Sequence, residues 1–260
     1  MIAVDPSIEV GAVGVADPAS WNDWGLEVIA AAGDDLDFYI VHEYGFDSSP
    51  SPDAALRRAG ELWPEVLADV NAALEGETPV AVTEYNLVSV ADADDDRTMT
   101  QAMNALYIAD SIGQLAMGGV DIANQWNLAD GIHPNGTSYG LFGTDEDHRF
   151  PEFHALEMWS GAGSTLLAPL VDSTTRIYPT RHDDGRVTVL AINTGAASMF
   201  RFTVSGTSSG TRATLTSVGA DDPSATLMAR SDARDLGPAD EPFDVELPAY
   251  SISVIDIISR

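Results

Sequence analysis

A short apolar segment over residues 79–86, with the sequence PVAVTEYN, ends in a carboxylate that is followed by an aromatic residue and an amide. Burying a carboxylate without partners costs several kcal/mol, so a glutamate at the carboxyl end of a buried strand usually lies in a cleft that uses its charge. The alternative is a carboxylate that only caps the next helix or pairs with an arginine. We expect Glu84 to carry the chemistry.

Polar and aromatic side chains also end two other apolar segments. Ligands of parallel α/β folds bind at the carboxyl ends of the strands, so three such ends would form one site. Aromatic rings that stack and planar amides that bond to hydroxyls, placed around one carboxylate, are typical of sugar binding. The candidates, strand by strand, are His42 and Tyr44, then Glu84 and Asn86, and then Asn124, Gln125 and Trp126.

Alternation along the strand sorts the residues around His42. Successive side chains of a strand point to opposite faces of the sheet. If His42 faces the site, Tyr44 faces it too, whereas Glu43 faces the helices. Glu43 is therefore a poor catalytic candidate.

The first 165 residues alternate between apolar strands and helices. The predicted strands are residues 8–15, 37–44, 79–86 and 120–128, and the predicted helices are residues 21–32, 51–76, 98–119 and 151–160. A Ser-Pro pair at residue 51 and a Thr-x-x-Gln capping box at residue 98 start two of these helices. Pro64 predicts a kink or two abutting helices within the second helix. Strand starts roughly 30 to 40 residues apart indicate successive βα units of a parallel sheet.

The pattern changes after about residue 170. Short segments with period-two alternation are separated by Gly, Pro or Asp and have no helical segment between them, which is typical of an antiparallel β-sandwich. These segments are residues 186–193, 198–205, 211–218 and 251–258. We therefore predict an α/β unit over residues 1–168 and a β-sandwich domain over residues 169–260.

In their order along the chain, these motifs resemble the carboxyl-terminal half of a retaining (β/α)8 glycoside hydrolase, most closely the α-L-arabinofuranosidases of family 51. The resemblance implies strands five to eight of a TIM barrel, followed by the accessory β-sandwich of that family. Thr83 stands where the family motif has Asp, and Tyr85 stands where it has Trp. The matching motifs are His42-Glu43-Tyr44, Thr83-Glu84-Tyr85-Asn86, Ala123-Asn124-Gln125-Trp126-Asn127 and the closing Leu247-Pro248-Ala249-Tyr250-Ser251.

The resemblance implies a role for each matched residue. Glu84 corresponds to the nucleophile of a double-displacement reaction, Tyr44 to the residue that orients it, and His42 to a residue that borders the sugar pocket. The strand-eight segment of the family supplies a sugar-binding amide. The register of the match does not decide whether Asn124 or Gln125 is that amide. The substrate-binding residues expected on this basis are His42, Asn86, Asn124, Gln125 and Trp126.

The second carboxyl group of such an enzyme is missing from the sequence. A retaining glycosidase needs two carboxyl groups about 5 to 5.5 Å apart, one as nucleophile and one as acid/base. In the family, the acid/base glutamate follows an asparagine at the end of strand four, and this sequence contains no Asn-Glu dipeptide. We expect a fragment whose barrel is completed by a separate amino-terminal half or by a second copy in a homo-oligomer.

Two other functions stay open at this point. One is a non-catalytic carbohydrate-binding protein, in which a remnant half barrel retains sugar affinity without turnover. The other is a related barrel glycosidase that acts on β-xylosides, β-glucosides or glucuronides, because those families share the same nucleophile chemistry.

The composition excludes several partners. The net charge is −29, with 41 acidic and 12 basic residues, and every basic residue is Arg. Such a surface repels nucleic acid and anionic membranes. Adaptation to high salt and a codon bias that replaces Lys by Arg both explain the acidity, and the excess of Asp favours salt adaptation. The acidic run at residues 92–96 predicts a solvated loop.

Cysteine is absent, so the chain has no disulfide, thiolate metal site or cysteine nucleophile. The five histidines lack metal-ligand spacing, and we predict no metal and no cofactor. The sequence shows no signal-peptide pattern at its start and no apolar run of about 18 residues. These features predict a soluble, cytoplasmic protein, and the family resemblance implies that its partner is a carbohydrate.

Overall fold

The computed structural model describes residues 4–76, 78–143, 148–172, 174–205 and 209–258. A four-stranded parallel sheet with its helices comes first in the chain. A large antiparallel sheet and a two-stranded sheet follow it. This arrangement is the half barrel followed by a β-sandwich that the sequence predicts.

The parallel sheet contains β1 (Gly11–Val13), β2 (Phe38–Phe46), β3 (Val80–Val88) and β4 (Ile122–Gln125), which lie side by side in sequence order. The two central strands are the longest, and most of β3 is buried. The two edge strands are shorter than the sequence predicts. Each of them has one neighbouring strand in the sheet, so fewer hydrogen bonds extend it.

Four helices accompany these strands, namely α1 (Ser20–Ala32), α2 (Pro52–Ala73), α3 (Ala102–Met117) and α4 (Pro151–Trp159). The Ser51 hydroxyl caps α2 by accepting from the amide of Ala54 at 3.4 Å. Beyond that cap, α2 continues through the exposed Pro64 as one helix, so the two abutting helices do not form. Among the helices in the described ranges, none is both long enough and apolar enough to span a bilayer.

The start of α3 differs from the predicted capping box. The segment Thr98–Thr100 forms a 3-10 turn, and α3 begins only after it. The box does not form because the Thr98 side chain bonds to a carboxylate of the preceding loop. Instead, the amides of Ala102 and Met103 donate to main-chain carbonyl oxygens of Ala225 and Pro223, each at 2.8 Å. The second half of the chain therefore caps this helix.

The acidic run before α3 is only partly solvated. Asp92, Asp95 and Asp96 are exposed, but Asp94 is completely buried. Hydroxyl and amide donors surround its carboxylate and replace the water that a solvated loop would supply. The prediction of a solvated loop is therefore wrong at Asp94.

The antiparallel strands occupy the rest of the chain. They are β5 (Thr165–Leu166), β6 (Leu170–Val171), β7 (Thr175–Arg181), β8 (Val187–Asn193), β9 (Ser198–Phe202), β10 (Arg212–Gly219), β11 (Ala229–Arg230), β12 (Arg234–Pro238), β13 (Phe243–Leu247) and β14 (Ser251–Ile258). The large sheet has the order β11-β10-β14-β8-β7-β5, with β12 paired to β10 and β6 paired to β7. β9 and β13 form the second sheet. Because β5 pairs with β7, the large sheet begins before the proposed domain boundary between residues 168 and 169.

The large sheet is buried on both faces. One face packs against the two-stranded sheet through alternate residues such as Ile177, Val189 and Ile255. The other face packs against the helices through residues such as Leu190 and Ile252. The sandwich and the half barrel thus share a hydrophobic core.

Buried polar side chains join α3 to β7 within this interface. Arg176 Nε lies 3.3 Å from Asp110 Oδ2, and the Tyr178 hydroxyl donates to Asp110 Oδ1 at 2.5 Å. Gln114 Nε2 donates to the Tyr178 hydroxyl oxygen at 3.0 Å. Burial raises the pKa of Asp110, and the charge of Arg176 opposes that rise. The ion pair therefore offsets part of the cost of burying the Asp110 charge.

Candidate active site

The carboxyl ends of β2 and β3 bring the predicted catalytic residues together. In the parallel register His42 lies beside Glu84, and Tyr44 lies beside Asn86. Neighbouring residues of a parallel pair share a face of the sheet, so these four side chains project on the same side. The one-residue shift between Val41 and His42 sets this register.

The Glu84 carboxylate contacts two side chains of β2. The Tyr44 hydroxyl donates to Oε1, and His42 Nδ1 lies 3.5 Å from Oε2. The other nitrogen of the His42 ring, Nε2, lies 2.9 Å from the Thr83 hydroxyl oxygen. The Glu84 side chain is 23% exposed, so its neighbours orient it without closing it off. A carboxylate held in this way can serve as a nucleophile or a base.

Tyr44 is a hydrogen-bond donor in this pair. Burial raises the pKa of Tyr44, and the hydrogen bond to Glu84 and the charge of Glu84 raise it further. The phenol therefore keeps its proton across the neutral range. The Tyr44 hydroxyl donates this proton in a hydrogen bond to Glu84 Oε1, which fixes the orientation of the carboxylate.

Asn86 lies behind the catalytic residues. It is completely buried, and its Nδ2 donates to the carbonyl oxygen of Trp126 and lies 3.4 Å from that of Tyr139. Its Oδ1 accepts from the amide of Leu87 at 2.7 Å. Because main-chain groups occupy both ends of its amide, Asn86 links strands, which differs from the expected sugar contact.

The register of β4 separates its two amide candidates. Gln125 pairs with Tyr85, whose ring packs edge-on against Trp63 of α2 with centroids 5.9 Å apart. Alternation then puts Asn124 on the face that carries Glu84, and Trp126 follows directly after the strand. Both are exposed, whereas the side-chain Oε1 of Gln125 is buried. The geometry favours Asn124 over Gln125 as the amide that a sugar can reach.

Tyr139, in the loop between β4 and α4, lies beside Tyr44 at the edge of the site. Its ring meets the Tyr44 ring edge-on with centroids 6.5 Å apart, and it meets the His133 ring at 5.7 Å. His133 Nε2 lies 3.2 Å from Asp130 Oδ2. Tyr139 is not predicted from the sequence, because neither strand alternation nor helical spacing applies in a Gly-rich loop.

Glu43 faces the helices, as alternation predicts. Its carboxylate accepts from the amide of Tyr44 at 3.1 Å, and burial raises its pKa while Arg58 opposes the rise. It borders a cleft of about 450 Å³ between α2 and the segment that follows β1. Within the described ranges, no three His, Asp or Glu side chains are grouped to hold a metal ion.

Comparison with known proteins identifies the fold. No protein-family model matches the sequence, and no curated protein matches it. Among solved structures, the GH51 α-L-arabinofuranosidase from Thermotoga petrophila RKU-1 matches with a TM-score of 0.76 and 18% identity, over 99% of this chain and 59% of that chain. A Paenibacillus polymyxa xyloglucanase of family 44 matches with a TM-score of 0.72 and 14% identity, over 100% and 58%. A 4-O-α-L-rhamnosyl-β-D-glucuronidase from Fusarium oxysporum 12S matches with a TM-score of 0.70 and 16% identity, over 90% and 56%.

The chain has a glycoside hydrolase fold, with part of a (β/α)8 barrel followed by a β-sandwich. More particularly, its fold is like that of the GH51 α-L-arabinofuranosidases. The chain spans less than two thirds of the length of these proteins. At identities below 20% the likeness describes the fold, and the choice of substrate is a separate question.

Proposed function

We propose that this chain contributes the nucleophile half of a retaining glycosidase and that Glu84 is the nucleophile. The contact between the Tyr44 hydroxyl and Glu84 is the observation that supports this most directly. It combines an oriented carboxylate, partial exposure and a place at the carboxyl edge of a barrel sheet.

The proposed reaction is a double displacement. Glu84 Oε attacks the anomeric carbon and forms an ester bond, while the bond from that carbon to the leaving oxygen breaks. The leaving oxygen takes a proton from an acid, and the same group later takes a proton from the water that hydrolyses the ester. Tyr44 donates to the carboxylate and holds it in line for attack.

We assign the acid/base carboxyl to polypeptide that completes the barrel. Apolar side chains beside both sheet edges support this proposal, because Val13 at the β1 edge and Ile122 and Leu128 at the β4 edge are exposed. A complementing amino-terminal half would cover both edges and add the acid. A second copy would cover them but add a second nucleophile. We also propose that the barrel unit covers residues 1–168 and that the β-sandwich domain covers residues 169–260.

The substrate we propose is an α-L-arabinofuranoside of a plant-type oligosaccharide or polysaccharide. The motif resemblance and the GH51-like fold support this choice. His42 borders Glu84, and Trp126 offers an exposed ring for stacking. Asn124 supplies the amide that bonds to a sugar hydroxyl, while Gln125 and Asn86 support the loop that carries Tyr139.

The test is covalent labelling of the purified chain with a fluorinated arabinofuranoside that carries a dinitrophenolate leaving group. This leaving group departs without an acid, and the fluorine slows hydrolysis of the ester. We expect an adduct on the peptide that contains Glu84, detected by mass spectrometry. Glu84→Gln should remain unlabelled, and the matched control Glu43→Gln should be labelled like the natural chain. An adduct elsewhere, or equal labelling of Glu84→Gln, would contradict the assignment.

The second candidate function is carbohydrate binding without turnover. The absence of an Asn-Glu dipeptide from the sequence favours it, because the family's acid/base residue would sit in that pair. Arabinose or xylose oligosaccharides that change the tryptophan fluorescence of the natural chain but not of Trp126→Phe, without forming an adduct, would support this function. Labelling by a xyloside, glucoside or glucuronide reagent in place of the arabinofuranoside would indicate a related barrel glycosidase.

A further inference from the structure

Asp94 holds a dense set of hydrogen bonds just outside the proposed active site. Its Oδ1 accepts from the Ser49 hydroxyl at 2.8 Å and from the amide and hydroxyl of Thr98 at 2.9 and 2.6 Å. Its Oδ2 accepts from the amide of Met99 at 3.1 Å and from the Thr137 hydroxyl at 2.5 Å. The donors are all neutral, and the Asp94 side chain is completely buried.

These donors come from three separate loops. Ser49 follows β2, Thr98 follows β3, and Thr137 follows β4. Asn135 adds to the same junction, because its Nδ2 donates to the carbonyl oxygens of Ala91 and Asp94 at 2.7 and 3.1 Å. One carboxylate therefore ties together the loops at the carboxyl edge of three adjacent strands.

Asp94 must be ionised to play this part. Burial opposes its charge, but the hydrogen bonds from Thr137, Thr98, Met99 and Ser49 together lower its pKa below the ordinary value. A carboxylate accepts hydrogen bonds at both oxygens, whereas an asparagine presents two donor hydrogens on one side. Replacement by Asn would set donor against donor at one side of the junction.

The junction connects to Glu84 through Tyr139. Thr137 precedes Tyr139 by two residues, and the Tyr139 hydroxyl donates to the carbonyl oxygen of Ser89 at 2.7 Å. The Tyr139 ring packs against the ring of Tyr44, which in turn bonds to Glu84. A shift of the loop after β4 would therefore reach the nucleophile through two aromatic rings.

We propose that Asp94 is a positioning residue that sets the orientation of Glu84 through Thr137, Tyr139 and Tyr44. This inference rests on the proposed function, because it assigns Asp94 a task in the same site. It distinguishes Asp94 from a residue that stabilises the fold alone. Loss of the junction should lower the rate of attack by Glu84 more than the affinity for the sugar.

The experiment compares two pairs of variants. Asp94→Asn disrupts the junction, and Asp95→Asn is its control because Asp95 is the exposed neighbour. Thr137→Val removes only the hydrogen bond from the loop after β4 to the Asp94 carboxylate, and the bond from Asn135 to the Asp94 carbonyl oxygen stays. Thr137→Ser keeps the hydroxyl. Labelling by the fluorinated arabinofuranoside is measured as a maximal rate and a half-saturating concentration, and melting temperatures are recorded alongside.

We expect Asp94→Asn to lower the maximal labelling rate about tenfold or more, since small displacements of a reacting group are costly. Thr137→Val should lower the rate several-fold with less than a twofold change in half-saturation, and Thr137→Ser and Asp95→Asn should match the natural chain. If Asp94→Asn does not fold, the two Thr137 variants decide. Equal maximal rates for Thr137→Val and Thr137→Ser would overturn the proposal.

A second measurement separates this inference from the proposed function. Tyrosine ring signals are recorded by NMR on protein that carries isotope-labelled tyrosine and has not reacted with the glycoside, with the Tyr44 signal assigned from Tyr44→Phe. The Tyr44 signal should shift in Thr137→Val and stay in place in Thr137→Ser. If the natural chain forms no adduct with any of the glycoside reagents, the glycosidase proposal fails, and an unshifted Tyr44 signal in Thr137→Val would then reject the positioning role as well.

Discussion

At the scale of single residues, the proposed chemistry depends on the proton of Tyr44. Burial and the neighbouring Glu84 raise the pKa of Tyr44 above 10.0, the ordinary value for tyrosine, so the phenol keeps its proton. The hydrogen bond to Glu84 therefore persists through the pH range in which a carboxylate nucleophile is ionised. This makes Tyr44 an orienting group rather than an acid.

Tyr44→Phe removes that hydrogen bond and keeps the ring that packs against Tyr139. A hydrogen bond to a charged group contributes about 1.5 to 3 kcal/mol, so we expect labelling of Glu84 to slow by roughly 10- to 100-fold. The melting temperature should change little. The measurement is the time course of adduct formation by mass spectrometry, and an unchanged rate would show that Tyr44 does not orient Glu84.

Asp94 gives a second prediction at this scale, for stability against pH. Its pKa in the folded chain lies below 3.8, the ordinary value, so the folded state binds fewer protons than the unfolded state near that pH. The stabilisation is then complete above the ordinary value and is lost as the pH falls through the folded value. Asp94→Asn has no such titration.

We therefore expect the difference in unfolding free energy between the natural chain and Asp94→Asn to be constant above about pH 5 and to shrink below it. At neutral pH, the variant should lose about 1 to 3 kcal/mol, because buried donors lose their acceptor. Urea unfolding at a series of pH values measures both quantities. Curves that stay parallel down to about pH 3 would mean that the pKa of Asp94 is the same in the folded and the unfolded chain.

At the scale of elements, the contact between α3 and β7 depends on the buried pair of Asp110 and Arg176. Arg176→Met should cost about 3 to 5 kcal/mol of unfolding free energy, because it leaves Asp110 buried without a compensating charge. The control is Arg201→Met, since the Arg201–Asp244 pair is exposed and should contribute about 1 kcal/mol or less. Chemical denaturation of both variants checks this, and equal losses would contradict it.

Element patterns in the sequence account for much of this fold. Apolar segments with the spacing of βα units correctly predict the central strands β2 and β3 and all four helices. Alternation correctly predicts β8, β9, β10 and β14. β7 is not predicted from the sequence, because Pro179 interrupts its alternating pattern. In the structure, pairing with its neighbours in the sheet keeps β7 extended. Tertiary pairing overrides local preference there.

Only those residues of the candidate site that lie on strands could be predicted from the sequence. His42, Tyr44 and Glu84 lie on regular strands, so alternation and register bring them together. Tyr139 and Asp94 lie on loops, and their place follows from hydrogen bonds that join distant segments. The spacing of residues along the sequence holds no information about such bonds. The acidic run at residues 92–96 therefore predicts a solvated loop, although it contains the buried Asp94.

At the scale of the whole molecule, one large sheet serves two cores. It covers the two-stranded sheet on one face and the barrel helices on the other, and main-chain carbonyls near residue 225 cap α3. A cut between the barrel and the sandwich would therefore expose apolar surface on both pieces. We infer that the sandwich supports the half barrel as part of the same folding unit.

The charge of the whole molecule sets its response to salt. With 41 acidic and 12 basic residues, arginines can pair with only a minority of the carboxylates, so the folded chain repels itself. The screening length falls from about 30 Å at 0.01 M salt to about 3 Å at 1 M, which removes most of that repulsion. We expect the melting temperature to rise steadily as KCl is increased over this range.

A variant with fewer exposed charges distinguishes screening from other effects of salt. Asp34, Asp95, Asp121 and Asp232 are exposed. Changing all four to Asn should raise the melting temperature at low salt and flatten its rise with KCl, because less repulsion remains to be screened. A flat response of the natural chain would count against salt adaptation, and an equally steep rise in the variant would show that repulsion is not its cause.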